Sequence, residues 1–445
     1  MAKTAHWLFD QKHNGEKLLF SLFLLFLPTQ LGKHFWPTFS YLLGIRSDYL
    51  SPTLYFTDII ILGLFVVWIW NKKQELRIKN YGRKIYLFIC LFMYLFISIL
   101  FSNNILLGFY GLWKLAECLF IALYIAKRSG EIISFAQMIF LLSIGGIFES
   151  LLAILQFINQ GSLNGIFYFF GERTFTSQTI GIANMSLNGT ELLRPYATFS
   201  HPNVLAGYLL IISTLTLYAS FKKNKAFSLP RLYYLLVYFF CTFALFITYA
   251  RIAILCWVFT TLIFVFLQLK KEQKIVTIGL SVCLLALLFF ISWHLQLLQR
   301  FTSLTLTDES VTQRENLLLA SWQLFSMHPL FGVGLNSFLP SLSQLPMLQL
   351  NFFLLQPVHN IFVLVAVELG LVGLIVFIWF IGKTIYKNFK NWQQESNRLS
   401  FSFLCLILLL QIIFTGMFDH YWLTLQQGQL LFALVLGMCW NKCFS

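Results

Sequence analysis

Charge is scarce in this chain: only 11% of its 445 residues are Asp, Glu, Lys or Arg. A soluble globular protein carries about 25%, so a water-soluble multidomain enzyme is excluded. Paired cysteines are absent as well. Cys90, Cys118, Cys241, Cys256, Cys283, Cys405, Cys439 and Cys443 lie in apolar runs or the C-terminal tail and form no CxxC pair, which leaves neither a zinc site nor a disulfide framework. There is no P-loop, no Rossmann glycine fingerprint and no acidic cluster outside the apolar runs to hold magnesium. No cofactor and no metal are therefore expected. The first apolar run lacks a small-residue cleavage site and reads as a membrane anchor instead of a signal peptide.

Apolar residues are what the chain has in quantity, at 58%, including 50 Phe and 12 Trp. Runs long enough for membrane helices occur near 18–36, 53–70, 85–101, 105–126, 132–158, 201–220, 233–249, 251–269, 275–293, 360–382, 401–418 and 424–440. The expected fold is all-α and polytopic: one transmembrane domain over 1–445 with about twelve helices and a large outer loop between helices nine and ten. With both ends cytoplasmic, the inside loops collect most of the Lys and Arg residues, including Lys72, Lys73, Arg77, Lys222, Lys223, Lys270, Lys271, Lys383 and Lys387. The net charge of +14 thus follows from topology, and its scatter over separate loops argues against nucleic acid as a partner.

Two outer segments exceed what a connection needs, 159–200 and 294–359, and long loops in compact proteins are commonly lids or binding sites. The first ends in Arg194-Pro195-Tyr196-Ala197-Thr198-Phe199-Ser200-His201-Pro202-Asn203. The second contains a helical stretch, Thr312 to Met327, with Leu317, Leu318, Ala320, Trp322, Leu324 and Phe325 as its apolar stripe. A turn follows at His328-Pro329-Leu330-Phe331-Gly332-Val333-Gly334, and Val358-His359-Asn360 opens span ten.

Arg194, Arg251, Arg314 and His359 all fall on the outer side. Arginine at membrane depth costs about 2.5–3.5 kcal/mol on insertion scales, so a group of them points to an anion. Planar guanidiniums bind phosphate oxygens through paired, charge-assisted hydrogen bonds. A lipid-linked sugar diphosphate presents such an anion at headgroup depth, and fixed arginines would stabilise it as the sugar bond breaks. His359 is the candidate general base for an acceptor hydroxyl. His201 reads as a cap at the start of span six, since Ser200, Pro202 and Asn203 are helix-start residues. His328 reads as part of a turn. Asp419 and His420 share the last outer loop and Asn360 adjoins His359, which makes all three supporting candidates. Glu117 and Lys114, three residues apart, form a self-neutralising pair. Glu368, nine residues into span ten, keeps a solute transporter open as an alternative, although no inverted repeat is visible.

These residues, in this order, resemble the superfamily of O-antigen ligases and polymerases, polytopic membrane glycosyltransferases. The resemblance rests on Arg194-Pro195 with His201-Pro202-Asn203, Arg251 in a short turn, Arg314 with Trp322, Pro329 to Gly334, and His359-Asn360 followed by Glu368-Leu369-Gly370-Leu371-Val372-Gly373. It implies metal-independent, inverting transfer of a glycan from an undecaprenyl-diphosphate carrier to an acceptor hydroxyl at the outer face of the cytoplasmic (inner) membrane. The acceptor would be a lipid, such as lipopolysaccharide core, a wall polymer or a protein. Arg194, Arg251 and Arg314 match the diphosphate-binding arginines and His359 the activating histidine; His201, Asn203, Asn360, Asp419, His420 and Glu368 are supporting candidates. Many members have Ser or Thr beside the arginine where this chain has Tyr249-Ala250. Ligase is the expected activity, with a polysaccharide polymerase of the same superfamily as the alternative.

Overall fold

The computed structural model describes residues 13–73, 93–102, 104–187, 190–222, 228–268, 309–346 and 355–444. The apolar runs become α1 (Asn14–Phe26), α2 (Phe56–Lys73), α3 (Ile105–Lys127), α4 (Phe135–Asn159), α5 (Pro202–Phe221), α6 (Leu229–Ile247) and α7 (Arg251–Gln268). Between α7 and α10 (Ile361–Gln394) lie α8 (Glu309–Met327) and α9 (Phe338–Leu342). The chain closes with α11 (Phe401–Gly416), the one-turn α12 (Tyr421–Thr424) and α13 (Gln426–Trp440). Helices α3, α4, α5, α6 and α10 are long and apolar enough to cross a membrane, and α2, α7 and α11 are shorter apolar helices. This is a mostly helical, multi-pass membrane protein. The span expected at 275–293, the first part of that at 85–101, and the ends of the large loop at 294–308 and 347–354 lie outside the described residues.

Helix α5 is apolar on every side, and 94% of its apolar window is buried, as expected of a helix surrounded by others. It packs against α4, α6, α7, α11 and α13. Two groups of buried charges among the described residues are paired. At one end Glu16 accepts from Arg128 Nε (3.1 Å), Asn71 Nδ2 (3.0 Å) and Tyr124 Oη (3.0 Å), which ties α1, α2 and α3 together. Further along, Lys114 Nζ lies 2.6 Å from Asp58 and 3.4 Å from Glu117. Asp58, 56 positions away in sequence, is thus the nearer partner of the lysine, and its other oxygen accepts from Gln426 Nε2 at 2.5 Å.

A third outer segment, 27–55, is also built. It holds two small antiparallel ribbons, β1 (Gly32–His34) with β4 (Thr53–Tyr55) and β2 (Tyr41–Leu42) with β3 (Ile45–Arg46). The apolar run assigned to 18–36 therefore ends early: the helix stops at Phe26. Within 159–200, β5 (Asn184–Leu187) pairs with β6 (Thr190–Leu193).

Span ten departs from the sequence expectation of one helix over 360–382. Gly370 has φ +64° and ψ −170° within α10, in the region only glycine enters readily. The rings of Phe362 and Phe377 lie 5.8 Å apart, whereas fifteen positions of straight helix would separate them by about 22 Å. The short arm 361–369 is folded back on the longer arm 371–394. The carbonyls and amides freed at this bend are taken up by the turn after α8: Val333 N donates to Val367 O (2.9 Å), Gly334 N to Glu368 O (3.0 Å) and Leu371 N to Pro329 O (2.8 Å). The Glu368 carboxylate accepts from the amides of Asn336 (3.1 Å) and Phe338 (3.3 Å). The motifs 329–334 and 368–373 are therefore two halves of one joint. A Cβ at Gly370 would collide with the Leu330 carbonyl. Gly370→Ala is expected to cost at least the ~1–3 kcal/mol of a strained backbone, seen as a lowered melting temperature of the purified protein.

Helix α8 contains the stretch expected to be helical, but its buried edge is narrower than the stripe read from sequence. Leu317, Ala320, Ser321 and Leu324 are buried, at helical spacing, while Leu318 and Trp322 are exposed.

Candidate functional site

The site begins where the segment 159–200 re-enters the bundle. Helix α4 holds that segment with two buried side chains seven positions apart. Gln156 Oε1 accepts from the amides of Tyr196 (3.0 Å) and Ala197 (2.7 Å). Glu149 accepts from the Thr198 amide (3.0 Å) and contacts the Thr198 hydroxyl (2.8 Å), which also bonds Pro28 O. Ala197 takes φ +50° within this grip. The result places Arg194 in the interior, 8% exposed, and brings His201 to the N-cap of α5, where its Nδ1 accepts from Asn203 N at 3.1 Å. Pro202 follows at the first helical position, which needs no amide.

Asp419, buried between α11 and α12, joins the remaining groups. One oxygen accepts from Asn203 Nδ2 (2.8 Å), and Asn203 Oδ1 in turn accepts from Arg194 Nη2 (2.7 Å). The other accepts from the His420 amide (2.8 Å) and faces His359 Nδ1 at 3.6 Å. His359 Nδ1 is buried without a hydrogen-bond partner among the described residues. The ring is held from its neighbour: Asn360 caps α10 through Phe362 N (2.9 Å) and Val363 N (3.1 Å) and donates to Met417 O (3.1 Å) at the end of α11. The His359 and His420 rings are 5.2 Å apart. His420 Nδ1 meets Thr424 Oγ1 at 2.7 Å, and that hydroxyl lies 3.2 Å from His420 O. If the hydroxyl donates to the carbonyl, Nδ1 carries the proton.

Burial opposes ionisation of Asp419, but the neighbouring imidazoles, His359 first, outweigh it and hold the carboxyl well below the usual range. Burial pushes His201 down to about 3, aided by the Arg194 charge and opposed by Asp419. Burial likewise pushes His420 down to about 3, with Asp419 opposing and His359 and Arg314 reinforcing. Both are neutral at physiological pH. Unfolded histidine takes up a proton near pH ~6.5, so below that the unfolded chain binds protons the folded one refuses, and stability falls as pH drops from about 6.5 towards 3. His201→Asn keeps a cap acceptor and removes one such group, so its melting temperature is expected to fall less steeply over this window than that of the wild type.

Arg194 and Arg251 meet at one turn. Arg194 Nε donates to Thr248 O at 2.7 Å, three residues before Arg251 opens α7. Tyr249 takes φ +55° and is buried against Met185, Phe157 and Phe246. Arg314 is exposed on α8, and its charge reaches His420. Glu368 stands apart, committed to the joint with α9. Tyr49, from the segment 27–55, is a further member: its ring meets His420 edge-on at 5.5 Å. A small cavity of about 30 Å³ separates Tyr49 and Thr424 from Glu368. Neither Tyr49 nor Thr424 is signalled by a sequence motif. Gln156 and Glu149 are also invisible in that sense, since a polar residue within an apolar run does not reveal its partner.

His359, Asp419 and His420 place one potential metal-ligand atom each within 4.8 Å of one another. The Asp419 oxygens bond Asn203 and the His420 amide, and His420 Nδ1 contacts Thr424; His359 Nδ1 faces Asp419 at 3.6 Å without a hydrogen bond.

Residues 236–378 match the family model of O-antigen ligase. The superfamily resemblance carried by the motifs is therefore supported by an independent match, and with it an O-antigen ligase-type function in the broad sense. No curated protein matches the chain. The matched stretch contains Arg251, Arg314, His359, Asn360 and Glu368. Arg194, His201, Asn203, Asp419 and His420 lie outside it and reach the same site through the hydrogen bonds described above.

Proposed function

We propose that the protein is a membrane glycosyltransferase of the O-antigen ligase type, transferring a glycan from undecaprenyl diphosphate to an acceptor hydroxyl at the outer face of the cytoplasmic membrane. The observation that carries this reading is the chain from His359 through Asp419 and Asn203 to Arg194, which sets a base and an anion-binding guanidinium on one buried carboxylate. With Nδ1 turned to Asp419, His359 has Nε2 as its basic atom. The acceptor O–H gives its proton to Nε2, and the oxygen forms a bond to C1 of the sugar as the C1–O bond to the diphosphate breaks. A single displacement of this kind inverts the anomeric centre. The electron pair leaves on undecaprenyl diphosphate, whose growing charge Arg194, Arg251 and Arg314 stabilise. No step requires a metal.

The transporter alternative rested on Glu368, and the bonds of that carboxylate to the Asn336 and Phe338 amides give it a structural use. The test is reconstitution of the purified protein in vesicles with radiolabelled undecaprenyl-diphosphate glycan, a cell-envelope acceptor extract and EDTA. Label is expected to leave the carrier, and the size of the product separates ligation from polymerisation. Label that stays on the carrier with every acceptor overturns the proposal. Transfer that EDTA abolishes and a divalent ion restores would instead place a metal at His359, Asp419 and His420.

A further inference from the structure

A second cavity among the described residues is not at the histidines. It has a volume of about 440 Å³ and lies between the C-terminal half of α8, α9 and the tip of the segment ending at Phe101. That volume falls in the ~300–1,000 Å³ range of small-molecule sites. Its walls contain no Asp, Glu, Lys or Arg, so it offers nothing to match a phosphate or any other charged group. It does present two amides, an imidazole and a hydroxyl, from Gln323, Gln344, His328 and Ser341, against apolar surface that includes Phe101 and Leu345. The side chains of Gln323, His328 and Gln344 make no hydrogen bond to a described residue, which leaves their donors and acceptors available to a ligand. Uncharged hydrogen-bonding groups facing an aromatic and an aliphatic wall suit a ring with hydroxyls at its rim and C–H groups on its faces.

We propose that this cavity is a subsite for a neutral sugar unit of the glycan, remote from the reacting carbon; the inference rests on the functional reading above. Helix α8 connects the two places. Arg314 lies toward the histidines, and His328 follows the other end of the helix, fourteen positions on, or about 21 Å along the axis. A glycan of several linked sugars spans that reach, and one of a single unit does not. The subsite is preformed, because the Val333 amide that fixes one wall is bonded to Val367 O at 2.9 Å.

The test compares donors carrying one and several repeat units in the reconstituted transfer assay. Gln323→Ala/Gln344→Ala removes two neutral hydrogen-bonding groups, each worth about 0.5–1.5 kcal/mol. The preference of kcat/KM for the longer donor is expected to fall by about tenfold, with the rate on the one-unit donor unchanged. Both side chains are at least partly exposed, and Gln344→Leu, a single surface change that removes one amide from the cavity, is expected to act in the same direction. Unchanged length preference in both variants overturns the subsite. Saturation-transfer NMR provides a readout independent of transfer, using oligosaccharide released by mild acid from the cell's own polyprenyl-diphosphate pool. Signal is expected with wild type and not with the double variant, and equal signals overturn the subsite even if transfer is established. Wild-type protein that binds the oligosaccharide and transfers none overturns the functional reading and leaves the subsite standing.

Discussion

His359→Ala is expected to lower glycan transfer by about 10²–10⁴-fold, the usual contribution of a positioned general base, while binding of the lipid-linked donor stays close to wild type. The division follows from the geometry. His359 meets the Asp419 carboxylate at 3.6 Å, and no guanidinium hydrogen-bonds to it among the described contacts. In the proposed function the anion is the task of Arg194, which is fixed through Thr248 O and Asn203, of Arg251, and of Arg314. Loss of the imidazole therefore removes proton acceptance and leaves the anion site. The measurement is transfer of radiolabel alongside equilibrium binding of the donor to the same vesicles. Wild-type transfer by His359→Ala would remove the histidine from the chemistry. Donor binding lost together with transfer would mean that His359 holds the diphosphate or the fold.

Part of this site is legible in the sequence because it is local. Arg194, His201 and Asn203 lie within ten positions, and Pro202 behind His201 identifies a helix start from backbone chemistry alone. Asp419 could be only a supporting candidate, because its bond to Asn203 spans 216 positions and no periodicity connects the two. The apolar helices among the described residues were legible for a similar reason: a run of apolar residues reports its own environment. The fold of α10 at Gly370 was not. A glycine in an apolar helix is ordinary, and the bend becomes evident only when Gly332 is seen seated against residues 368–370. The same contact changes the meaning of Glu368. An acid in an apolar run invites a transport role when read alone, and becomes a bracket for the Asn336 and Phe338 amides once the turn after α8 is in place. Tyr49 was missed because 27–55 was counted as part of a span and a short connection, although that segment reaches His420.

Asp419→Asn is expected to reduce transfer about as far as His359→Ala, by about 10²–10⁴-fold, through its partners and not through contact with substrate. Three nitrogens face this carboxylate: the His420 amide and Asn203 Nδ2 donate to it, and His359 Nδ1 lies 3.6 Å away. An asparagine has one carbonyl oxygen, so its amide nitrogen must face one of these nitrogens. If it faces His359, the favoured tautomer moves the proton to Nε2, where the acceptor should deliver its own, and the base is lost without moving the ring. If it faces Asn203, the link that holds Arg194 is broken and donor affinity weakens. The pattern of kcat and KM separates these cases: a fall in kcat alone reports the tautomer, and a rise in KM reports the arginine. The double variant decides whether Asp419 works through the histidine. Residues that act as a unit are strongly non-additive, so His359→Ala/Asp419→Asn should transfer no more slowly than His359→Ala alone. Losses that multiply instead would detach the carboxylate from the base and leave it a purely structural member of the site.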